Sequence, residues 1–260
     1  MAFRKNFRSN SFNNNTSFDG SDFSSSRRSF RSAASVSNLD IDNPHPRLAI
    51  CLCLDTSGSM SGHPINELNA GIRLFYDTIR SNRDSRLASD VAVVTFGSGG
   101  VQCIQQFMQL YQTPNIPSLT AAGMTPMGEA VNLALDMIEN RKQEYRSLAL
   151  PHYHPWLVLM SDGMPNGDQA EFDRAALRAC TLVDNRKLVV FPVGIGKDAD
   201  RSSLARFSTR ITPRKLAGMN FKAFFEWLSR STSGVSATTP GESVNLPPAT
   251  WGTDGGWGTI

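Results

Sequence analysis

Several motifs that define common functional classes are missing from this 260-residue sequence. It has no run of about 18 apolar residues, which a membrane-spanning helix needs, and no apolar segment of a signal peptide follows its basic N-terminus. It has no Gly-Lys-Ser/Thr phosphate loop and no Gly-x-Gly-x-x-Gly nucleotide motif. The four cysteines include no Cys-x-x-Cys pair, so we expect free thiols rather than a disulfide framework or a thiolate metal site. Together these absences predict a soluble, cytoplasmic protein without a membrane contact.

Net charge is also small once the N-terminal arm is set aside. The chain carries +3, but residues 1–35 alone carry +4, so the remainder carries −1. Residues 1–44 are rich in Ser, Arg, Asn and Phe and lack periodicity, so we expect them to form a disordered arm. The near-neutral remainder has no electrostatic footprint for nucleic acid, and such binding is expected only through the arm.

The C-terminal residues 232–260 differ in composition from the middle of the chain. They are rich in Gly, Pro and Thr and contain Trp251 and Trp257, each followed by glycine and threonine. Because the segment lacks helical or strand periodicity, we expect a flexible tail. The two tryptophans are then either incidental or part of a short docking peptide.

Residues 45–231 alternate apolar runs with amphipathic segments and are expected to form one domain. Unbroken apolar runs are typical of strands buried on both faces of a parallel sheet, and the spacing of apolar residues between them predicts helices. A glycine-rich turn predicts an antiparallel edge strand over residues 101–107, and a polar connection is expected at 139–153. The pattern predicts an α/β domain with a doubly wound, mostly parallel central sheet flanked by helices and one antiparallel edge strand.

Hard oxygen ligands occur where three of these segments end or begin. Asp55 closes the first predicted strand and is followed by Ser57 and Ser59, Thr125 precedes a predicted helix, and Asp162 closes a later strand. Because the carboxyl ends of parallel strands meet at one edge of a sheet, these side chains are expected to converge. Such oxygens suit Mg2+, with Mn2+ or Ca2+ as alternatives. Taken singly, the serines could instead form turns, the threonine could cap a helix, and the second aspartate could open a turn.

These residues resemble a known metal site. The Asp-Thr-Ser-Gly-Ser sequence at 55–59, with Thr125 and Asp162, resembles the metal-ion-dependent adhesion site (MIDAS) of von Willebrand factor A (vWA) domains. The resemblance extends over residues 46–231. Within that family, three shorter stretches are similar to TerY-like proteins of bacterial tellurium-resistance operons: residues 123–130, 161–167 and 191–196.

The resemblance implies a vWA fold and a way of holding the cation. By family likeness, the hydroxyls of Ser57, Ser59 and Thr125 bind Mg2+ directly or nearly so, whereas Asp55 and Asp162 act mainly through bound water. With few carboxylates in direct contact, the charge of the cation is incompletely neutralised, and Asp or Glu of a partner protein can complete its coordination.

We therefore expect a non-enzymatic, Mg2+-dependent protein-interaction module, and the TerY-like resemblance implies a setting in stress response or tellurium resistance. One alternative is a phosphotransfer enzyme of the haloacid-dehalogenase kind, which also begins with an acid at a strand end. That chemistry needs a second acid two residues later, where this chain has Ser57. The other alternative is nucleic-acid binding through residues 1–44.

Overall fold

The computed structural model describes residues 39–97, 99–112, 118–196, 199–216, 220–249, 251–252, 257 and 259–260. Within them lie six strands and six α-helices, with one 3-10 turn at Gly58–Met60. None of these helices combines the length and the apolar character that crossing a membrane requires. The strands are β1 (Leu48–Thr56), β2 (Ser89–Gly97), β3 (Gly100–Gln109), β4 (Trp156–Ser161), β5 (Val189–Gly194) and β6 (Arg214–Lys215). The helices are α1 (His63–Ser81), α2 (Arg83–Ala88), α3 (Met127–Ser147), α4 (Gln169–Asp184), α5 (Arg201–Ala205) and α6 (Phe221–Ser236).

The six strands form one sheet in the order β3-β2-β1-β4-β5-β6. All neighbouring strands are parallel except β3, which runs antiparallel to β2 at one edge. From β1 the chain first builds the sheet toward β3 and then returns to add β4 on the other side. The predicted fold class and the antiparallel edge strand are confirmed. The carboxyl ends of the adjacent strands β1 and β4 form the topological switch point, where ligands bind in such sheets.

Helices cover both faces of the sheet, and the central strand β1 shows how its sequence allows this. Successive side chains of a strand point to opposite faces. Leu52 and Leu54 pack into an apolar cluster with α1 and α6. The smaller Cys51 and Cys53 pack into a second cluster with α3 and α4. All nine residues of β1 are buried, which explains its uninterrupted apolar run.

Helix α3 continues to Ser147, through residues where the sequence predicts a polar connection. Its last turns bury Arg141 and Tyr145, whose side chains donate hydrogen bonds to Asp90 near the start of β2. The Arg141 Nη2 atom lies 3.0 Å from Asp90 Oδ2. Burial raises the pKa of Asp90, and the positive charge of Arg141 opposes that rise. The apolar periodicity ends before the helix does because this part of α3 packs polar side chains on a buried carboxylate.

The domain begins earlier than predicted, because residues 39–44 of the expected arm pack against it. Leu39 and Asn43 are buried. The Arg47 guanidinium is also buried and donates hydrogen bonds of 2.6 Å to the carbonyl of Asp40 and 3.0 Å to that of Asn43. This arginine therefore ties the segment before β1 to the domain through backbone carbonyl groups. The rest of the expected arm, residues 1–38, lies outside the described residues.

The described residues beyond 231 contradict the expectation of a flexible tail. Helix α6 continues to Ser236, and Trp251 and Trp257 are only 0% and 5% exposed. The ring of Trp251 packs on Trp227 of α6 at 5.7 Å between centroids, and that of Trp257 packs on Phe191 of β5 at 5.2 Å. Both tryptophans are therefore core residues rather than a free docking peptide. Their large apolar rings are buried from an irregular segment, which has no periodicity to reveal them.

Replacing Trp251 tests this packing. We expect Trp251→Ala to lower the free energy of unfolding by about 3–5 kcal/mol, because it removes a fully buried aromatic side chain and leaves a cavity. Leu177→Ala is the matched control, since Leu177 is 71% exposed on α4 and its removal should change stability little. Chemical denaturation of both variants measures the difference. Equal, small effects would contradict the packed C-terminal segment.

Candidate metal centre

Asp55 lies at the end of the central strand with both carboxylate oxygens held in place. Its side chain is fully buried. Oδ1 accepts a hydrogen bond of 2.8 Å from the backbone N–H of Ser57, and Oδ2 accepts one of 2.6 Å from the hydroxyl of Ser161. Burial is the largest influence and raises the pKa of Asp55; the hydrogen bonds lower it, and the nearby charge of Asp162 raises it further. The carboxylate is thus fixed in orientation at the switch point.

The two serines after Asp55 connect it to the end of β4. The hydroxyl oxygens of Ser57 and Ser59 lie 3.0 Å apart and share a hydrogen bond. Ser59 also donates a hydrogen bond of 2.9 Å to Oδ1 of Asp162, the residue that follows β4. Partial burial raises the pKa of Asp162, while the bond from Ser59 lowers it. The two hydroxyls and the Asp162 carboxylate are therefore joined by side-chain hydrogen bonds, and the Asp55 carboxylate joins this group through the backbone N–H of Ser57.

The loop that contains Thr125 packs directly on the Asp55 turn. The backbone N–H of Gly58 donates a hydrogen bond of 3.1 Å to the carbonyl of Gly123, and that of Ala122 donates one of 2.9 Å to Thr56. Thr125 is buried, and the N-cap of α3 is Pro126 without any side-chain hydrogen bond. The structure therefore brings the threonine segment to the group and does not use Thr125 as a helix cap.

A second set of contacts joins the Thr125 loop to the loop after β4. Oδ1 of Asn166 accepts a hydrogen bond of 2.6 Å from the N–H of Thr125, and the N–H of Asn166 donates one of 3.2 Å to the Thr125 carbonyl. Nearby, Glu129 Oε1 accepts a hydrogen bond of 3.0 Å from the N–H of Asp168. A β-carbon at Gly167 would lie 2.9 Å from Pro126 Cα, so glycine allows this close approach.

Two residues that hold this site together, Ser161 and Asn166, are not predicted from the sequence. Ser161 could have been found from strand alternation: Leu54 pairs with Met160, which places the next residues, Asp55 and Ser161, side by side. Asn166 offers no such signal, because its position depends on how two irregular loops meet. Both residues hold the predicted oxygens in place.

The donor set fits a small hard cation. The carboxylates of Asp55 and Asp162 repel each other in the absence of a positive charge, and hydroxyl oxygens accompany them. Within the described ranges, no group of three or more His, Cys, Asp and Glu side chains could hold a metal ion, so a nitrogen- or sulfur-rich centre is not available there. The assignment of Asp55, Ser57, Ser59, Thr125 and Asp162 as metal ligands stays a prediction.

Large apolar side chains border this group on the two loops. Met124 precedes Thr125 and is 61% exposed, and Met164 follows Asp162 by two residues and is 73% exposed. Ser59 is exposed between these loops at the mouth of the site. Side chains of this size and exposure next to a polar group mark a surface suited to contact with another molecule.

The sheet order and the oxygen-rich group at its switch point define an α/β domain with a candidate cation site. A family model of the von Willebrand factor type A domain matches residues 49–223. The chain therefore belongs to the von Willebrand factor type A family. The matched segment runs from β1 into α6 and contains all of the candidate ligands. No curated protein sequence matches the chain.

Solved structures with this fold come from diverse organisms. A von Willebrand factor type A protein from Catenulispora acidiphila is 17% identical with a TM-score of 0.57, covering 73% of this chain and 43% of that one. The pilus adhesin SpaC from Lactobacillus rhamnosus GG is 12% identical with a TM-score of 0.54, covering 72% and 30%. Proximal thread matrix protein 1 from the mussel byssus is 15% identical with a TM-score of 0.51, covering 73% and 48%. The chain spans less than half of each structure, and the likeness shows the fold alone.

The contacts of Asn166 predict that this residue supports cation binding. We expect Asn166→Ala to weaken Mn2+ binding about tenfold or more, because it removes the side-chain hydrogen bond that the Thr125 backbone donates to the loop following Asp162. Asn185→Ala, at the exposed end of α4, is the matched control and should bind as the wild type does. Calorimetric titration of each protein with Mn2+ makes the measurement. Unchanged affinity in Asn166→Ala would show that the inter-loop contacts do not support the site.

Proposed function

We propose that this protein is a non-enzymatic, Mg2+-dependent protein-interaction module with a MIDAS. The observation that carries the proposal is the hydrogen-bonded group of Asp55, Ser57, Ser59 and Asp162 at the switch point, with the Thr125 loop packed against it. Three segments distant in sequence bring hard oxygens to the point where α/β sheets bind ligands.

Each residue has a defined part in this proposal. The hydroxyls of Ser57, Ser59 and Thr125 bind the cation, and Asp55 and Asp162 balance its charge mainly through bound water. Both oxygens of Asp55 already accept hydrogen bonds, which favours this indirect part. The cation supplies a positive charge that an aspartate or glutamate of a partner protein can bind. A contact of this kind in a partly desolvated pocket is strong and makes metal and partner binding cooperative.

The haloacid-dehalogenase alternative finds less support in the geometry. In that chemistry the strand-end aspartate attacks a phosphate, and a second acid two residues later transfers a proton. Here Asp55 is fully buried and Ser57 occupies the second position. We therefore propose that the purified protein does not hydrolyse phosphate monoesters such as p-nitrophenyl phosphate. The other alternative, nucleic-acid binding by residues 1–44, concerns an arm of which residues 1–38 lie outside the described residues.

The cellular setting is also part of the proposal. The similarity of residues 123–130, 161–167 and 191–196 to TerY-like proteins favours a tellurium-resistance or stress-response system. All four cysteines are free thiols, which is compatible with the reducing conditions of the cytoplasm. We accordingly propose a cytoplasmic protein that acts beside other proteins of such a system.

Thermal unfolding with and without cation tests the site. At a hundredfold excess over Kd, Mg2+ or Mn2+ should raise the Tm of the wild type by about 5–10 °C, because a ligand of the native state stabilises it. Asp55→Ala and Asp162→Ala should lose this shift. Asp77→Asn removes an exposed carboxylate of α1 and should keep it. A shift of equal size in all four proteins would count against the metal site.

Met124 and Met164, which we call the apolar rim, predict which partner sequences bind. We expect a peptide with aspartate flanked by leucine or phenylalanine to bind in a metal-dependent manner, and more tightly than the same peptide flanked by serine. Exchanging both Met124 and Met164 for glutamine should weaken binding of the apolar-flanked peptide about tenfold. It should leave the metal-induced rise in Tm intact. Leu177→Gln is the exposed control, and fluorescence anisotropy is the measurement. Equal affinity for both peptides would contradict a role of the rim.

A further inference from the structure

A cleft lined by cationic side chains lies at the end of the sheet opposite the candidate metal centre. It encloses about 310 Å3 where the chain enters β4 and β5, next to Pro155 and Lys187. We call it the cationic cleft and define it by six of its lining residues: Lys142, Arg146, His152, His154, Arg186 and Lys187. The metal centre is at the carboxyl ends of the strands, so the two sites occupy opposite edges.

The cleft holds more positive charge than its surroundings neutralise. Glu139 pairs with two of the cations, at 3.0 Å from Lys142 Nζ and 3.1 Å from Arg146 Nη1. Neither Arg186 nor Lys187 pairs with a carboxylate among the described residues. Because the chain beyond residue 35 has a net charge of only −1, this concentration is a local feature. Four permanent cations thus line a cleft whose neighbouring carboxylates are Glu139 and Glu242.

The titration of His154 agrees with this concentration of charge. Its pKa is lowered first by burial and then by the positive charges of His152, Lys142 and Arg186. These positive charges of the cleft therefore all disfavour protonation of His154. A metal cation would meet the same repulsion, which argues against metal binding by the two histidines and in favour of an anion.

A second cavity of about 400 Å3 continues from the cationic cleft and shares His154 and Arg186 with it. Its lining adds the apolar side chains of Val183, Leu188 and Ile211, together with polar or charged ones that include Ser208, Arg210 and Glu242. Both volumes lie within the range of about 300–1,000 Å3 that is usual for small-molecule sites. A ligand that fills both cavities has an anionic end and a less polar body.

We propose that the cationic cleft binds the phosphate group of a phosphate monoester, whose organic part occupies the adjoining cavity. Lysine and arginine side chains supply charge and several N–H donors to the phosphate oxygens. The doubly charged phosphate group of a monoester is attracted to these four cations more strongly than a singly charged carboxylate is. The concave shape and the flanking Glu139 and Glu242 favour a small ligand over the extended backbone of a nucleic acid. This site is independent of the proposed metal centre.

Calorimetric titration of the full chain at constant ionic strength, with chloride as the balancing anion, tests the proposal. The probes are inorganic phosphate, phenyl phosphate and sodium benzoate. We expect phenyl phosphate to bind at least tenfold more tightly than inorganic phosphate, because its ring can contact Val183, Leu188 and Ile211 in the adjoining cavity. Benzoate, which has a single charge, should bind more weakly than phenyl phosphate.

The variant that tests the cleft combines Arg186→Asn with Lys187→Gln. Arg186 has a φ of 53°, a left-handed conformation that asparagine tolerates better than most residues, so the charge is removed without added backbone strain. Phenyl phosphate affinity should fall at least tenfold. The control, Arg73→Gln with Lys222→Gln, removes the same charge from exposed positions on α1 and α6 and should bind as the wild type does.

Four outcomes would overturn the proposal. These are no phosphate binding, equal losses in the cleft variant and its control, benzoate as tight as phenyl phosphate, or a single-stranded oligonucleotide, titrated in the same way, that binds more tightly than phenyl phosphate and loses this affinity in the cleft variant. The rise in Tm with Mg2+ should be the same in the cleft variant as in the wild type. A result that overturns the phosphate site is therefore distinguishable from one that overturns the metal site.

Discussion

A buried carboxylate at the end of the central strand is the constraint on which the candidate site depends. Asp55 is withdrawn from water, and an isolated buried charge would be costly. Its two oxygens are therefore satisfied in different directions, one by the backbone of its own turn and the other by Ser161 of the neighbouring strand. The first contact orients the turn that carries the serines, and the second connects the ends of β1 and β4. A single side chain thus sets both the shape of the turn and its position beside the next loop.

The sheet topology supplies the rest of the arrangement. The chain adds β2 and β3 on one side of β1 and then β4 on the other side. The loops that follow β1 and β4 therefore run in opposite directions and leave room between them. The loop before α3 fills this room and is bound on one side to the Asp55 turn and on the other to Asn166. Three irregular segments are therefore held to one another by backbone and side-chain hydrogen bonds. Rigid loops of this kind position side chains with less conformational freedom to lose when a ligand binds.

The sequence predicts most of the fold and the position of the site, but not the contacts that hold the site together. Buried parallel strands and amphipathic helices leave periodic patterns, and the oxygens of Asp55 and Asp162 follow directly from strand ends. Ser161 becomes predictable only when the β1–β4 register is known. The C-terminal tryptophans escape prediction for a different reason, because a composition typical of disorder contains two rings large enough to join the core. The C-terminal part of α3 escapes prediction for the opposite reason. Its buried side chains include polar ones, so it lacks the apolar periodicity that would indicate a helix.

The burial of these aromatic side chains has a consequence for spectroscopy. All four tryptophans of the chain, Trp156, Trp227, Trp251 and Trp257, belong to the apolar cluster on the α1 and α6 side of the sheet. Adjacent rings lie close enough for excitation to pass between them, as in the pair Trp251 and Trp257 at 5.1 Å. The intrinsic tryptophan fluorescence of the protein therefore arises from a single layer. We expect events confined to the opposite layer, against α3 and α4, to change this emission less.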